Sequence, residues 1–169
     1  MKRLLILATV AVLAIGAIGT ASANDDHSDR KDVKAVLSGF NEIPSIATAG
    51  TGKLRMSIDG SNTTISYTLT FSGLEGGAAT GAHLHLGKAG TIGGVIVNLC
   101  PVTCVSPVTG TFTAANIVAL PTQGIAGPTA VDFAKVLKAI RAGAVYANVH
   151  TGGAYSGGEI RGQLTGGWH

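Results

Sequence analysis

An all-β fold, an antiparallel Greek-key β-sandwich or barrel with one inserted α-helix near residues 130–142, is predicted by three observations. Several short segments alternate apolar and polar residues with the period of a half-buried strand. Gly-rich and Pro-containing turns separate them, and 25 glycines with no three-residue repeat fit many tight turns rather than collagen. A single stretch switches to helical spacing, with Phe133, Val136, Leu137 and Ile140 on one stripe.

Taken in order, the chain opens with Lys2-Arg3, an apolar run from residue 4 to 18, and the small-x-small sequence Ala21-Ser22-Ala23. That pattern is a secretory signal cleaved after Ala23 (residues 1–23); the rival, an anchor helix, falls short of the roughly 20 apolar residues a span needs. We therefore expect a secreted or periplasmic protein with no stable membrane insertion. Removing Lys2 and Arg3 leaves ten basic and nine acidic residues, so the charge drops from +3 to +1. A near-neutral chain without a basic stripe is no nucleic-acid binder. Its length suits one domain.

Residues 24–32, polar and mixed in charge, read as a disordered leader, and 33–165 as the folded domain with a tail at 166–169. The first strand, over 33–40, ends at Gly39 and Pro44. The second covers 52–58, and Asp59-Gly60-Ser61-Asn62 turns it into the third, over 63–71. In that third strand Ile65, Tyr67, Leu69 and Phe71 face one way, and Thr64, Ser66, Thr68 and Thr70 the other. Tyr155 reads as a loop residue. The Gly-rich segment 87–94 lacks the Lys-Ser/Thr of a phosphate loop and leads to a strand at 95–99. A further strand covers 110–113, and a short helical turn at 114–120 is expected to stop at Pro121. The helix is capped by Thr129, with Asp132 near its start, Lys138 and Arg141 near its end, and Gly143 beyond. Strands over 144–151 and 159–164 complete the domain; in the last, Ile160 and Leu164 point inwards while Glu159, Arg161 and Gln163 point out.

Cys100 and Cys104 are expected to pair as a disulfide, because an exported protein meets an oxidising compartment. The alternative is a pair of thiolates for a soft ion such as Cu(I).

The richest chemistry lies in Ala82-His83-Leu84-His85 and in Asn148-Val149-His150. His83 and His85 share one strand face, about 7 Å apart and within reach of one ion. His150 shares its face with Tyr146 and Asn148. Five histidines occur, and these three are the ones away from the chain ends. Side by side, the two strands would gather three imidazoles, a donor set suited to copper or zinc that leaves a position for water or substrate. Glu159 or Tyr146 is a candidate fourth ligand. The rival reading makes the histidines ordinary polar residues of an outer face, and Glu159 and Arg161 a surface ion pair worth little. No nucleophile elbow, carboxylate pair or Cys-x-x-Cys supports catalysis.

The segments Leu37-Ser38-Gly39-Phe40-Asn41-Glu42-Ile43-Pro44, Ser66-Tyr67-Thr68-Leu69-Thr70-Phe71-Ser72-Gly73-Leu74, Ala82-His83-Leu84-His85, Tyr146-Ala147-Asn148-Val149-His150-Thr151 and Gly158-Glu159-Ile160-Arg161-Gly162-Gln163-Leu164 resemble the CHRD (chordin-type) domain over residues 33–164. The resemblance implies an exported module that binds an unknown protein or cell-surface partner. His83, His85 and His150 are also similar to the copper ligands of the Cu/Zn superoxide dismutases, Greek-key barrels with a His-x-His strand and a later Val-His strand. No counterpart of the bridging histidine or the zinc loop is present, and Glu159 stands where those enzymes carry an arginine. That resemblance implies a mononuclear site rather than dismutation. Two functions stand open: a binding module, and a periplasmic copper- or zinc-binding protein.

Overall fold

The computed structural model describes residues 31–166. The expected signal peptide and most of the expected leader lie outside them. Nine antiparallel strands form one sheet: β1 (Lys31–Ser38), β2 (Thr51–Ile58), β3 (Ile65–Ser72), β4 (Gly81–Leu86), β5 (Val95–Cys100), β6 (Val108–Phe112), β7 (Val145–His150), β8 (Ile160–Gln163) and β9 (Thr165–Gly166). The spatial order is β5-β4-β7-β8-β1-β2-β3-β6, with β9 on β1. β3 is flanked by β6 rather than by its successor β4, and β4 lies between β5 and β7, the interleaving of a Greek key. The end strands β5 and β6 approach each other, so the sheet is a nearly closed barrel.

Alternation drives the closure. In β2 the pattern is strict, with Leu54, Met56 and Ile58 buried between more exposed neighbours. Val33, Ala35 and Leu37 of β1, Leu84 of β4, Val145 and Val149 of β7 and Ile160 of β8 complete the inner wall. The helix α1 (Ala130–Arg141) lays Phe133, Val136, Leu137 and Ile140 on this core, and Phe133 meets Phe112 edge-on at 6.3 Å. Thr129 caps it by accepting from the Asp132 amide at 3.1 Å. Gly143 follows it with a φ of +63°, the left-handed conformation glycine adopts cheaply. No helix among the described residues is long and apolar enough to cross a membrane.

Three local expectations need correction. β1 starts at Lys31, inside the stretch read as leader, because Lys31 and Asp32 pair with Ile58 and Ser57. At the other end, Gly166 pairs with Val33 as part of β9. The helical turn expected over 114–120 is a 3-10 turn at Ala114–Asn116 only, and Pro121 opens the next turn, Pro121–Gln123, rather than ending one. Proline's missing N–H costs nothing in a first turn. The turn after β2 forms as expected: Asp59 accepts from the amides of Thr63 and Thr64 at 2.8 and 2.9 Å and from the Ser61 hydroxyl. Those bonds, the Ser61 one foremost, hold its carboxyl down at about 2. Cys100 and Cys104 form a disulfide with Cα atoms 5.9 Å apart. Tyr67 is half-buried beside Phe112 and donates its hydroxyl to the Leu99 carbonyl at 2.7 Å.

Candidate metal centre

β4 and β7 are neighbours, which the three-histidine arrangement requires. Their register places His83 opposite Asn148, His85 opposite Tyr146, and His150 opposite Gly81. Gly81 matters here. A Cβ built on it would lie 3.2 to 3.3 Å from the His83 ring, so the missing side chain leaves room for that ring to lean towards His150. On the other side of β4 the pairing with β5 slips at Ala82/His83 and again at Leu84/His85. Such irregularities re-aim side chains.

The three rings form a compact group, with centroids 4.7 Å apart for His83 and His150, 5.8 Å for His83 and His85, and 5.9 Å for His85 and His150. One nitrogen from each lies within 4.8 Å of the other two. A point equidistant from three atoms at that spacing is about 2.8 Å from each, so contraction by under roughly 1 Å per ring reaches a metal–imidazole bond.

Hydrogen bonding sets the tautomers. His85 Nδ1 lies 3.0 Å from the Gly93 carbonyl, and His150 Nδ1 lies 3.1 Å from the Ser156 carbonyl. A carbonyl only accepts, so each Nδ1 carries the proton and each Nε2 presents a lone pair. Those two Nε2 atoms, together with His83 Nδ1, are buried and have no hydrogen-bond partner. Buried polar atoms are normally satisfied, and an unsatisfied trio within one group is what a ligand set looks like before its ion.

The electrostatics favour the neutral form of His83 and His85. Burial, followed by the neighbouring His150 and His85, pushes His83 down to about 4. Burial also lowers His85, against the Gly93 hydrogen bond, with His150 and Arg161 adding to the effect.

Around the group the outer face is polar but covered. Tyr146 stacks on His85 at 4.8 Å and 7°, and the Arg161 guanidinium lies 3.4 Å from the Tyr146 ring centre. The Tyr146 hydroxyl bonds to the backbone of Gly93 rather than pointing at the histidines. Arg161 donates to the carbonyls of Lys88 and Thr91 at 3.2 and 2.7 Å, which folds the 87–94 loop over the strands. Beside it, Asn148 donates to both oxygens of Glu42 at 3.1 and 3.3 Å. Burial lifts the Glu42 carboxyl to about 7, although Arg161 and Asn148 pull the other way.

Glu159 belongs to a different arrangement. It is fully buried, and its carboxylate accepts from the Thr48 and Thr151 hydroxyls, both at 2.7 Å, and from the amides of Glu75 at 2.6 Å and Gly76 at 3.0 Å. Burial opposes the charge, but those four donors together hold its pKa below the ordinary value. Glu159 therefore pins the loops at 48–50 and 75–76, and it stands outside the three-histidine group. The surface ion pair with Arg161 that the rival reading offered does not form among the described residues. Both side chains are buried instead, because loops close over the outer side of β8. Periodicity pointed Arg161 outwards and put Asn148 on the face of His150, both correctly, but it missed Glu42 and Arg161 as site neighbours. Neither carries a local sequence signal: Glu42 meets Asn148 across 106 residues of chain, and Arg161 meets Lys88 and Thr91 across 73 and 70.

The CHRD domain family matches residues 33–164, most of the chain. The protein belongs to that family. CHRD domains are typically extracellular, which agrees with the disulfide. Searches of curated proteins and of solved structures gave no match. The three histidines lie on two strands inside the matched span.

Proposed function

We propose that this CHRD protein works outside the cytoplasm and binds a single copper or zinc ion through His83, His85 and His150. The observation that carries the reading is the trio of buried ring nitrogens without hydrogen-bond partners, gathered on adjacent strands. Imidazole is a donor for both ions, and three neutral ligands leave a coordination position for water or a small molecule. His85 and His150 would bind through Nε2, each oriented by a carbonyl behind it, as metal-bound histidines usually are. Tyr146 and Arg161 hold the His85 ring from the side. The ion would supply Lewis acidity or, for copper, electron transfer.

The test is metal content. The mature protein is loaded separately with copper and with zinc, desalted and analysed, beside a His83→Ala/His85→Ala/His150→Ala variant of matched secondary structure. Near-stoichiometric retention of one ion by the native protein, and little by the variant, is expected. Equal retention by both, or none by either, would sink the reading and leave the histidines as covered polar residues.

A further inference from the structure

A second surface stands apart from the histidines. On the outer side of β1, β2, β3 and β6, the register lines up Lys34, Arg55, Thr68 and Thr109 in one row across four strands. The adjacent row holds Lys53 and Thr70, and on the other side Ser57, Ser66 and Thr111 form a third. Lys34, Lys53 and Arg55 are exposed, as are Thr68, Thr70 and Thr109. A depression of about 490 Å³ is lined by Lys34, Arg55, Ser57, Ser66 and Thr68 among others.

This arrangement works against stability. Lys34 and Arg55 are directly opposite, and Lys53 is two residues from Arg55 on the same face, where like charges repel. None of the three makes an ion pair among the described residues. Asp32, beside the depression, is the one acid on this face among the described residues. Three cations on the outer wall of the barrel, edged by rows of hydroxyl groups at about 4.8 Å strand spacing, suit an extended polyanion that also offers hydroxyls.

We propose that this face binds an acidic polysaccharide, with Lys34, Lys53 and Arg55 taking its carboxylates and the flanking Ser and Thr hydroxyls its sugar hydroxyl groups. Two other polyanions fit less well. The aromatic residues of these strands, Tyr67, Phe71 and Phe112, alternate to the opposite side, so no ring is offered for stacking on bases. Val36 is the lone exposed large apolar side chain on the face among the described residues, too little to enter a lipid surface.

The experiment measures binding of the mature protein to immobilised alginate, a polyuronate, against neutral dextran, in EDTA. Binding is expected at about 0.01 M salt and not at about 1 M, where charges are screened within roughly 3 Å. Lys34→Glu/Lys53→Glu/Arg55→Glu should weaken it by roughly tenfold or more with an unchanged circular dichroism spectrum. The triple histidine variant should bind as the native protein does, which separates this proposal from the metal reading. Alginate binding that survives the charge reversal, or that never exceeds binding to dextran, would overturn it. So would equally tight, equally Lys34-dependent binding to single-stranded DNA or to anionic vesicles.

Discussion

The barrel has two polar outer faces built by the same alternation, and they differ in what lies over them. On β4, β7 and β8 the outward residues His85, Asn148 and Arg161 are buried, because the 87–94 loop, the Glu42 turn and the 152–158 loop bond down onto them. On β1, β2 and β3 the outward residues Lys34, Arg55 and Thr68 are open to water. The covered face is shut off from water, so a polar atom left without a partner there is informative, and the five such side-chain atoms among the described residues are the three histidine nitrogens, Asn148 Oδ1 and Gln163 Oε1. On the open face water satisfies everything, and only the clustering of like charges is informative.

The sharpest way to break that contrast is Glu159→Ala. On the covered face it strands four donors, and the expected cost is about 3 kcal/mol or more in urea unfolding. Arg55→Thr on the open face should stay within about 0.5 kcal/mol. If the two variants unfold alike, the distinction between the faces is empty.

Next comes Tyr146→Leu, which removes the ring between His85 and Arg161. Metal affinity should fall about 10- to 100-fold by competition titration, while the His83 and His150 contributions remain. An unchanged affinity would mean that the stack does not orient His85.

The pH dependence of stability, measured without metal, separates half-buried His83 from buried Glu42, whose effects have opposite sign. Unfolded histidine takes up a proton near 6.5, whereas folded His83 resists to about 4, so its effect is to lower stability as the pH drops from 6.5 to 4. Glu42 runs the other way. Its folded carboxyl keeps its proton to about 7 and its unfolded one to about 4.5, so the stability it contributes is full below 4.5 and is lost as the pH rises through 7. Unfolding midpoints at several pH values for the native protein and Glu42→Gln should therefore diverge between 4.5 and 7, the variant losing the Glu42 decline and keeping the His83 rise.

The smallest effect is Lys34→Glu. Turning a like pair into an opposite pair across β1 and β2 should raise stability by about 0.2–1 kcal/mol while weakening polysaccharide binding. A variant that gains stability and loses no binding would show that the open face is only a solvated surface.

Much of this molecule was legible in residues read one stretch at a time. Strand alternation in β2 and β3, the Asp59 turn, the Thr129 cap and the pairing of Cys100 with Cys104 all follow from neighbours in sequence. So does the placement of His83 and His85 on one side of β4, because successive side chains on a strand point to opposite faces. The roles of Glu159 and Arg161 were not legible. Alternation said which way they point, and nothing local said that loops would meet them there.

The sequence by itself determined the fold class, the compartment-linked disulfide and the sidedness of each histidine, since these depend on periodicity and chemistry within a few residues. Only the tertiary structure decided that β4 lies against β7, that Gly81 leaves room for the His83 ring, and that Glu159 serves loops while three histidine nitrogens go unsatisfied. The reason is physical. Which way a side chain points is settled by its own backbone, whereas what it meets is settled by segments folded in from far along the chain.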